Sequence, residues 1–271
     1  MVGPELAAVL LHLNNVYDLT GFEAHQSDGL LALGEGIPEA MAGYYTGQFY
    51  TPHVSMRARF LILDVIQRTA QALSAVTPTE LPPPVPTDPA GTGLVPTPMG
   101  VSADGKTRRW SCASAVQEAP SRPNGFGGVA GLFFYPLMVS YDTNEGTLDL
   151  LGEDSMVLGR LLCTLGCLVE AAQNTTAQPG MARTLLEFLL AFRGHSHAYV
   201  RQCGMFALSR AIVATTSLTA GTAGVLGDVL AELGAWLEGI MRQDPSPVNR
   251  ECAAHCAKMV EAVYARPVRL F

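Results

Sequence analysis

Two groups of side chains have types and spacing that suggest metal chemistry. Cys252, His255 and Cys256 put three soft or borderline ligands on one short stretch, and His195 with His197 forms a second group. Zinc needs about four converging ligands. His195 and His197 fall in a turn between helices with no cysteine or carboxylate beside them. Residues four apart share a helix face, so Cys252 with Cys256, like Cys163 with Cys167, read as small apolar core residues. No metal and no cofactor are expected.

Acid–base chemistry has no better foothold. Glu153-Asp154 opens a helix, where carboxylates favour the positive end of the dipole. Glu232 and Glu238 fall away from the apolar stripe of their segment and read as a solvated face. Gly34-Glu35-Gly36 and Gly91-Thr92-Gly93 lack the lysine and strand–helix context of a phosphate loop. No Gly-x-Ser-x-Gly elbow is present. Asn174-Thr175-Thr176 matches a glycosylation triplet that occurs often by chance. The expectation is a protein without catalytic residues, an unrecognised enzyme being the minority alternative.

Composition narrows the partners. The 271 residues carry a formal net charge of −7, are 48% apolar and only 15% charged, and have a mean hydropathy of +0.22. Such a chain buries a large core and is not globally disordered. Its acidity argues against nucleic acid or an anionic membrane as the main partner. Lys106 and Lys258 are the only lysines, and the only basic cluster is Lys106-Thr-Arg-Arg109 beside Trp110. One such cluster gives weak, salt-sensitive contact with nucleic acid, so nucleic acid is the competing partner class.

The apolar stretch from Leu6 to Leu13 lacks the basic flank of a signal peptide. The uncharged stretches 123–141 and 211–227 are too broken by glycine, proline and threonine to span a membrane. The cysteines are too few and too oddly placed for a disulfide scaffold, so reduced thiols and an intracellular protein are expected.

These residues must be positioned by helices. Ten of the eighteen prolines fall between Pro78 and Pro123, and the stretch 76–122 has almost no aromatic residues. It reads as a disordered, Pro-rich linker between a helical domain at 1–75 and another at 123–271. Within it, Thr77-Pro78 and Thr97-Pro98 make Thr77 and Thr97 candidate sites of proline-directed phosphorylation.

Outside the linker, apolar residues recur with helical period. Met181, Leu185, Phe188, Leu189 and Phe192 form one stripe, with Arg183 and Glu187 paired on another face. Val200, Cys203, Ala207, Leu208, Ala211 and Ile212 form the next, and Leu226, Val229, Leu230, Leu233, Leu237 and Ile240 a third. Asp244-Pro245 stops that helix. Ser246-Pro247 then offers an N-cap serine with proline at the first helical position, ahead of a stripe of Cys252, Cys256, Met259, Val260 and Val263.

Arg201 and Arg250 each sit near the start of the second helix of a pair, which is the layout of HEAT-type repeats. A third pair is expected around Thr51-Pro52, with Met56, Phe60, Leu63, Ala70 and Leu73 inward and Arg57 equivalent to Arg201. The helix at about 153–172 is apolar nearly all round and should be buried on several sides, with Gly159 and Gly166 permitting close approach. The fold class expected is all-α, a HEAT-like α-solenoid of helix pairs.

Several segments resemble the C-terminal region of telomere length regulation proteins. They are Arg122-Pro-Asn-Gly-Phe126, Val129-Ala-Gly-Leu-Phe-Phe-Tyr-Pro-Leu137, Leu150-Leu-Gly-Glu-Asp154, Val157-Leu-Gly-Arg160, Leu165-Gly166, Asn174-Thr-Thr176, Leu185-Leu-Glu-Phe188 and Ala198-Tyr-Val-Arg-Gln202. Tyr45-Thr-Gly-Gln-Phe-Tyr50 with Leu63-Asp-Val65 resembles the end of that family's named conserved domain.

The resemblance implies a non-catalytic adaptor of the cytoplasm and nucleus. Family members join two Tti subunits in the triple T complex. They help the ninety-kilodalton heat-shock chaperone mature and stabilise phosphatidylinositol-3-kinase-related kinases, and thereby act on telomeres. Family members are much longer, so the resemblance implies a C-terminal portion of such a protein. The family's acidic, phosphorylated serine motif has no counterpart here; Gly152-Glu-Asp-Ser155 reads as a helix start. Contact with the chaperone machinery is therefore expected to be indirect.

Overall fold

A computed structural model of the chain describes residues 2–75, 124–139, 148–215 and 220–264, with backbone alone over 220–226 and at 264. The segment read as a linker lies outside the described residues, and with it Thr77, Thr97 and the basic cluster at 106–109. Among the described residues the chain forms ten helices and no strand: α1 (Gly3–His12), α2 (Phe22–Gly36), α3 (Pro38–Tyr50), α4 (Met56–Ser74), α5 (Ala130–Val139), α6 (Ser155–Ala171), α7 (Gln178–Phe192), α8 (Ala198–Thr215), α9 (Ala220–Gln243) and α10 (Pro247–Tyr264). None of them is long and apolar enough to cross a membrane.

Consecutive helices pair, and the pairs stack in two layers. The second helices α2, α4, α6, α8 and α10 each pack on the next, while α1 packs on α3, α3 on α5 and α7 on α9. This is the all-α stack of helix pairs that the periodicity predicts. Local signals set the helix starts. Ser55 Oγ accepts from the Ala58 amide at the start of α4, Ser246 Oγ accepts from the Asn249 amide at the start of α10, and Pro38 opens α3. Each cap satisfies an amide that the first helical turn leaves unpaired.

The sequence sets 1–75 apart from 123–271, but these stretches belong to one compact unit. Helix α4 packs on α6 and α3 on α5. Arg160 Nη2 lies 3.1 Å from Asp64 Oδ1 across the first contact. The Tyr50 hydroxyl donates to the Leu137 carbonyl across the second. Stacked pairs share their core with both neighbours, so a long connection between two of them does not divide the core.

The centre of the stack is its tightest part. Helix α6 buries Val157, Leu158, Leu161, Leu162, Leu165, Leu168 and Val169. A Cβ on Gly166 would lie 2.8 Å from Ala207 Cα, and one on Gly159 would lie 2.4 Å from the Tyr199 ring. Only glycine lets α6 and α8 approach this closely. The opposite case is α1, whose Ala7 and Leu11 are buried while its Leu6 and Val9, and the flanking Val2 and Leu13, face outward at 41–75% exposure.

Two details of α4 differ from the sequence reading. Met56, expected inward, is 40% exposed, and the buried face is Ala58, Arg59, Ile62, Leu63, Val65, Ile66, Thr69 and Ala70. A helix held between two neighbouring pairs buries a stripe wide enough to shift the apparent phase of the pattern. The arginine equivalent to Arg201 is consequently Arg59, and Arg57 reaches outward to Glu23.

Candidate functional site

The polar groups converge at the turns between paired helices. In α8, Arg201 Nη1 donates to the carbonyls of His195 and Ser196, each at 2.8 Å, closing the α7–α8 turn. Its Nε donates to Asp244 Oδ2 in the next pair's turn at 2.7 Å. Asp244 Oδ1 in turn accepts the Ser246 amide at 2.9 Å. Asn249 Nδ2 donates to the Ala198 carbonyl at 3.0 Å, tying α10 back to the start of α8. Only 6% of Asp244 is exposed. The Arg201 guanidinium and these amide donors outweigh burial and hold its carboxyl below the usual carboxylate range.

The same device recurs along the stack. Arg250 Nη1 donates to the Asp244 carbonyl at 2.6 Å in the α9–α10 turn. Buried Arg59 donates to the carbonyls of Phe49, Thr51 and Val54 at 3.0–3.1 Å in the α3–α4 turn. Burial lowers its pKa, and the negative charge of Asp154 opposes that shift. Six residues before Arg59, Arg201 and Arg250 stand His53, His195 and Asp244. That offset is the sequence signal that finds the turn arginines, and it distinguishes Arg59 from Arg57.

The metal and acid–base candidates are drawn into this framework separately. His197 Nδ1 accepts the Tyr199 amide at 3.3 Å and so caps α8. His195 Nδ1 accepts the His197 amide at 3.1 Å. With Nδ1 accepting, the His195 proton sits on Nε2, which faces the Leu151 carbonyl at 3.2 Å. On α10, Cys256 Sγ donates to the Met205 carbonyl, and burial pushes its thiol up to about 11. His255 is exposed and Cys252 half-buried. Among the described residues no three His, Cys, Asp or Glu side chains are arranged to hold a metal ion.

Asp154 Oδ2 accepts the Asp149 amide ahead of α6. Glu238 pairs with Arg242 one turn along α9 at 2.7 Å, and Glu232 lies 3.7 Å from Arg193. Asn174 takes a φ of 64° after α6, which gives that asparagine a conformational role in the turn.

Beside the Arg201–Asp244 contact lies an open groove of about 720 Å³. Trp236 walls it, with Nε1 donating to the Arg193 carbonyl at 2.8 Å, and Gly194, Ser196, Gly239 and Pro245 complete it. The sequence pattern passed over Trp236 because it lies between the inward positions Leu233 and Leu237.

These features define a helical-repeat protein whose polar side chains serve to join one pair to the next. The chain belongs to the telomere length regulation protein family. The family model described as "Telomere length regulation protein" matches residues 2–70. The telomere length regulation protein TEL2 homolog of Mus musculus is 38% identical over 96% of this chain and 33% of its own length. Its Homo sapiens counterpart is 36% identical over 98% of the chain and 33% of its own length. The Xenopus tropicalis counterpart is 31% identical over 96% of the chain and 33% of its own length. The chain thus spans about a third of the length of these relatives. No solved structure matches it.

Proposed function

We propose that the chain is a non-catalytic scaffold of the triple T complex. In this role it binds Tti subunits and supports the maturation and stability of phosphatidylinositol-3-kinase-related kinases in the cytoplasm and nucleus. The heat-shock chaperone machinery is engaged indirectly. Through those kinases the protein contributes to telomere maintenance.

The observation that carries this reading is the stack itself, joined pair to pair by Arg201, Asp244 and Asn249. Stacked pairs offer long continuous surfaces suited to protein partners. His197 caps α8 and Asp244 holds the α9–α10 turn, so these two polar groups support the stack. Family membership supplies the partner class.

The test is affinity purification of the tagged chain from its source cells, read by mass spectrometry. Recovery of a Tti subunit, retained in Glu261→Gln at an exposed position, is the expected result. If the wild-type chain captures neither Tti subunit but binds telomeric oligonucleotide with steep salt dependence, the scaffold reading fails in favour of a nucleic-acid role.

A further inference from the structure

We propose that Cys163 and Cys203 form a hydroperoxide-sensitive thiol pair that oxidises to a disulfide joining α6 to α8. The two cysteines lie on neighbouring second helices at the tightest contact of the stack. Cys203 Sγ sits 3.2 Å from where a Cβ on Gly159 would be, and Gly159 is one turn before Cys163 on the same helix face. One turn further on, the backbones nearly touch at Gly166 and Ala207. A disulfide needs Cα atoms roughly 4.4–6.8 Å apart, which helices without a glycine at the contact rarely reach. Both cysteines are free thiols, with Cys203 buried and Cys163 half-buried, so Cys163 opens the pair toward solvent.

The surroundings favour one thiolate. The neighbouring Cys163 thiol and the Tyr199 hydroxyl both favour ionisation of Cys203. Together with the positive charge of Arg160 these outweigh burial and hold Cys203 below the ordinary thiol range. The same contact with Cys203, reinforced by burial, pushes Cys163 up. Cys167, the next cysteine along α6, is buried and also pushed up by that burial. A more readily ionised thiol beside a less readily ionised one is the arrangement that favours peroxide attack followed by resolution.

The steps balance with hydrogen peroxide as oxidant. The Cys203 thiolate attacks one peroxide oxygen and breaks the O–O bond. Its sulfur becomes a sulfenic acid, and the other oxygen leaves as water after taking a proton. Cys163 sulfur then attacks Cys203 sulfur and forms the S–S bond. The sulfenic oxygen departs as a second water with the Cys163 proton. Two thiols are oxidised and one peroxide is reduced. Bulky disulfide oxidants are excluded by the packing around Cys203, so small hydroperoxides are the class that fits.

The test is peptide mapping of the folded wild-type chain after brief exposure to dilute hydrogen peroxide, followed by thiol blocking without reductant. The expected product is a crosslinked peptide pair containing Cys163 and Cys203, about 2 Da lighter than the sum of its reduced parts and reversed by dithiothreitol. Cys167→Ser should leave the crosslink intact, and Cys163→Ser should abolish it. A Cys163–Cys167 link would overturn the proposal. So would stable sulfinic acid on Cys203 with Cys163 still free, or no oxidation at peroxide levels that modify Cys252. The mapping reads the native protein directly, so a poorly folding variant does not decide the outcome.

Discussion

Helices α6 and α1 are both apolar around most of their circumference, yet one is enclosed and the other is not. α6 touches the neighbouring pairs on both sides, and its glycines bring the α8 backbone against its own. α1 meets α2, α3 and α4 and turns Leu6 and Val9 outward, with Val2 and Leu13 exposed at its ends. Apolar composition therefore states how much contact a helix can make, and position in the stack decides how much it makes.

A charge at the centre should give the largest effect that separates the two regions. Leu208 is fully buried in α8, and Leu208→Asp places a carboxylate there without a partner. We expect a loss of about 4 kcal/mol or more, seen as collapse of the helical circular-dichroism signal at a temperature where wild type stays folded. Gly166→Val tests the close approach itself. Its added bulk meets the Ala207 backbone, and overpacking of that kind costs about 1–3 kcal/mol, measurable by urea denaturation.

A smaller effect, and one that depends on pH, is expected at the turn joining α8 to α10. The Asp244 carboxyl is lowered in the folded state, so its contribution is fully present above the unfolded value of about 3.9. It is lost as pH falls through the lowered folded value. Asp244→Asn should accordingly be less stable than wild type at neutral pH, and the gap should narrow below about pH 4. Parallel urea titrations at pH 7 and pH 3 check this, and a gap that widens in acid would remove Asp244 from the account.

The smallest change belongs to the edge. Val9→Lys sits on an open surface and should shift stability by no more than about 0.5 kcal/mol while reducing binding of an apolar fluorescent dye. A large loss of stability would mean that α1 is as enclosed as α6.

Much of this contrast is legible in the residues. The stripes from Met181 to Val263 identify the last two pairs, and Gly159 and Gly166 announce the close contact. The first pair is harder to see because its core includes polar groups. The buried Gln26 amide of α2 donates to the carbonyls of Leu10 and Leu13 at 2.6 and 3.1 Å, so a residue that looks like surface serves to end α1. Arg59 is hidden for the same reason, since an arginine satisfied by three carbonyls packs like a core residue while Arg57 carries the outward signature. Trp236 and Asn249 act through groups distant in the chain, Arg193 and Ala198, and no local pattern encodes such a meeting.

The bond between the Tyr50 hydroxyl and the Leu137 carbonyl has a topological consequence. Helix α4 ends at Ser74 and α5 begins at Ala130, yet the chain returns to the adjacent place in the stack. Closing a connection costs entropy that grows only with the logarithm of its length, about 0.6 kcal/mol for each doubling. The neighbouring pairs pack on each other whatever the chain does between them, so a break between α4 and α5 is a natural place to open new termini in a circular permutant. A molecule severed there becomes a split protein, its halves held by α3 on α5 and α4 on α6, and its integrity turns from a property of one chain into a bimolecular equilibrium.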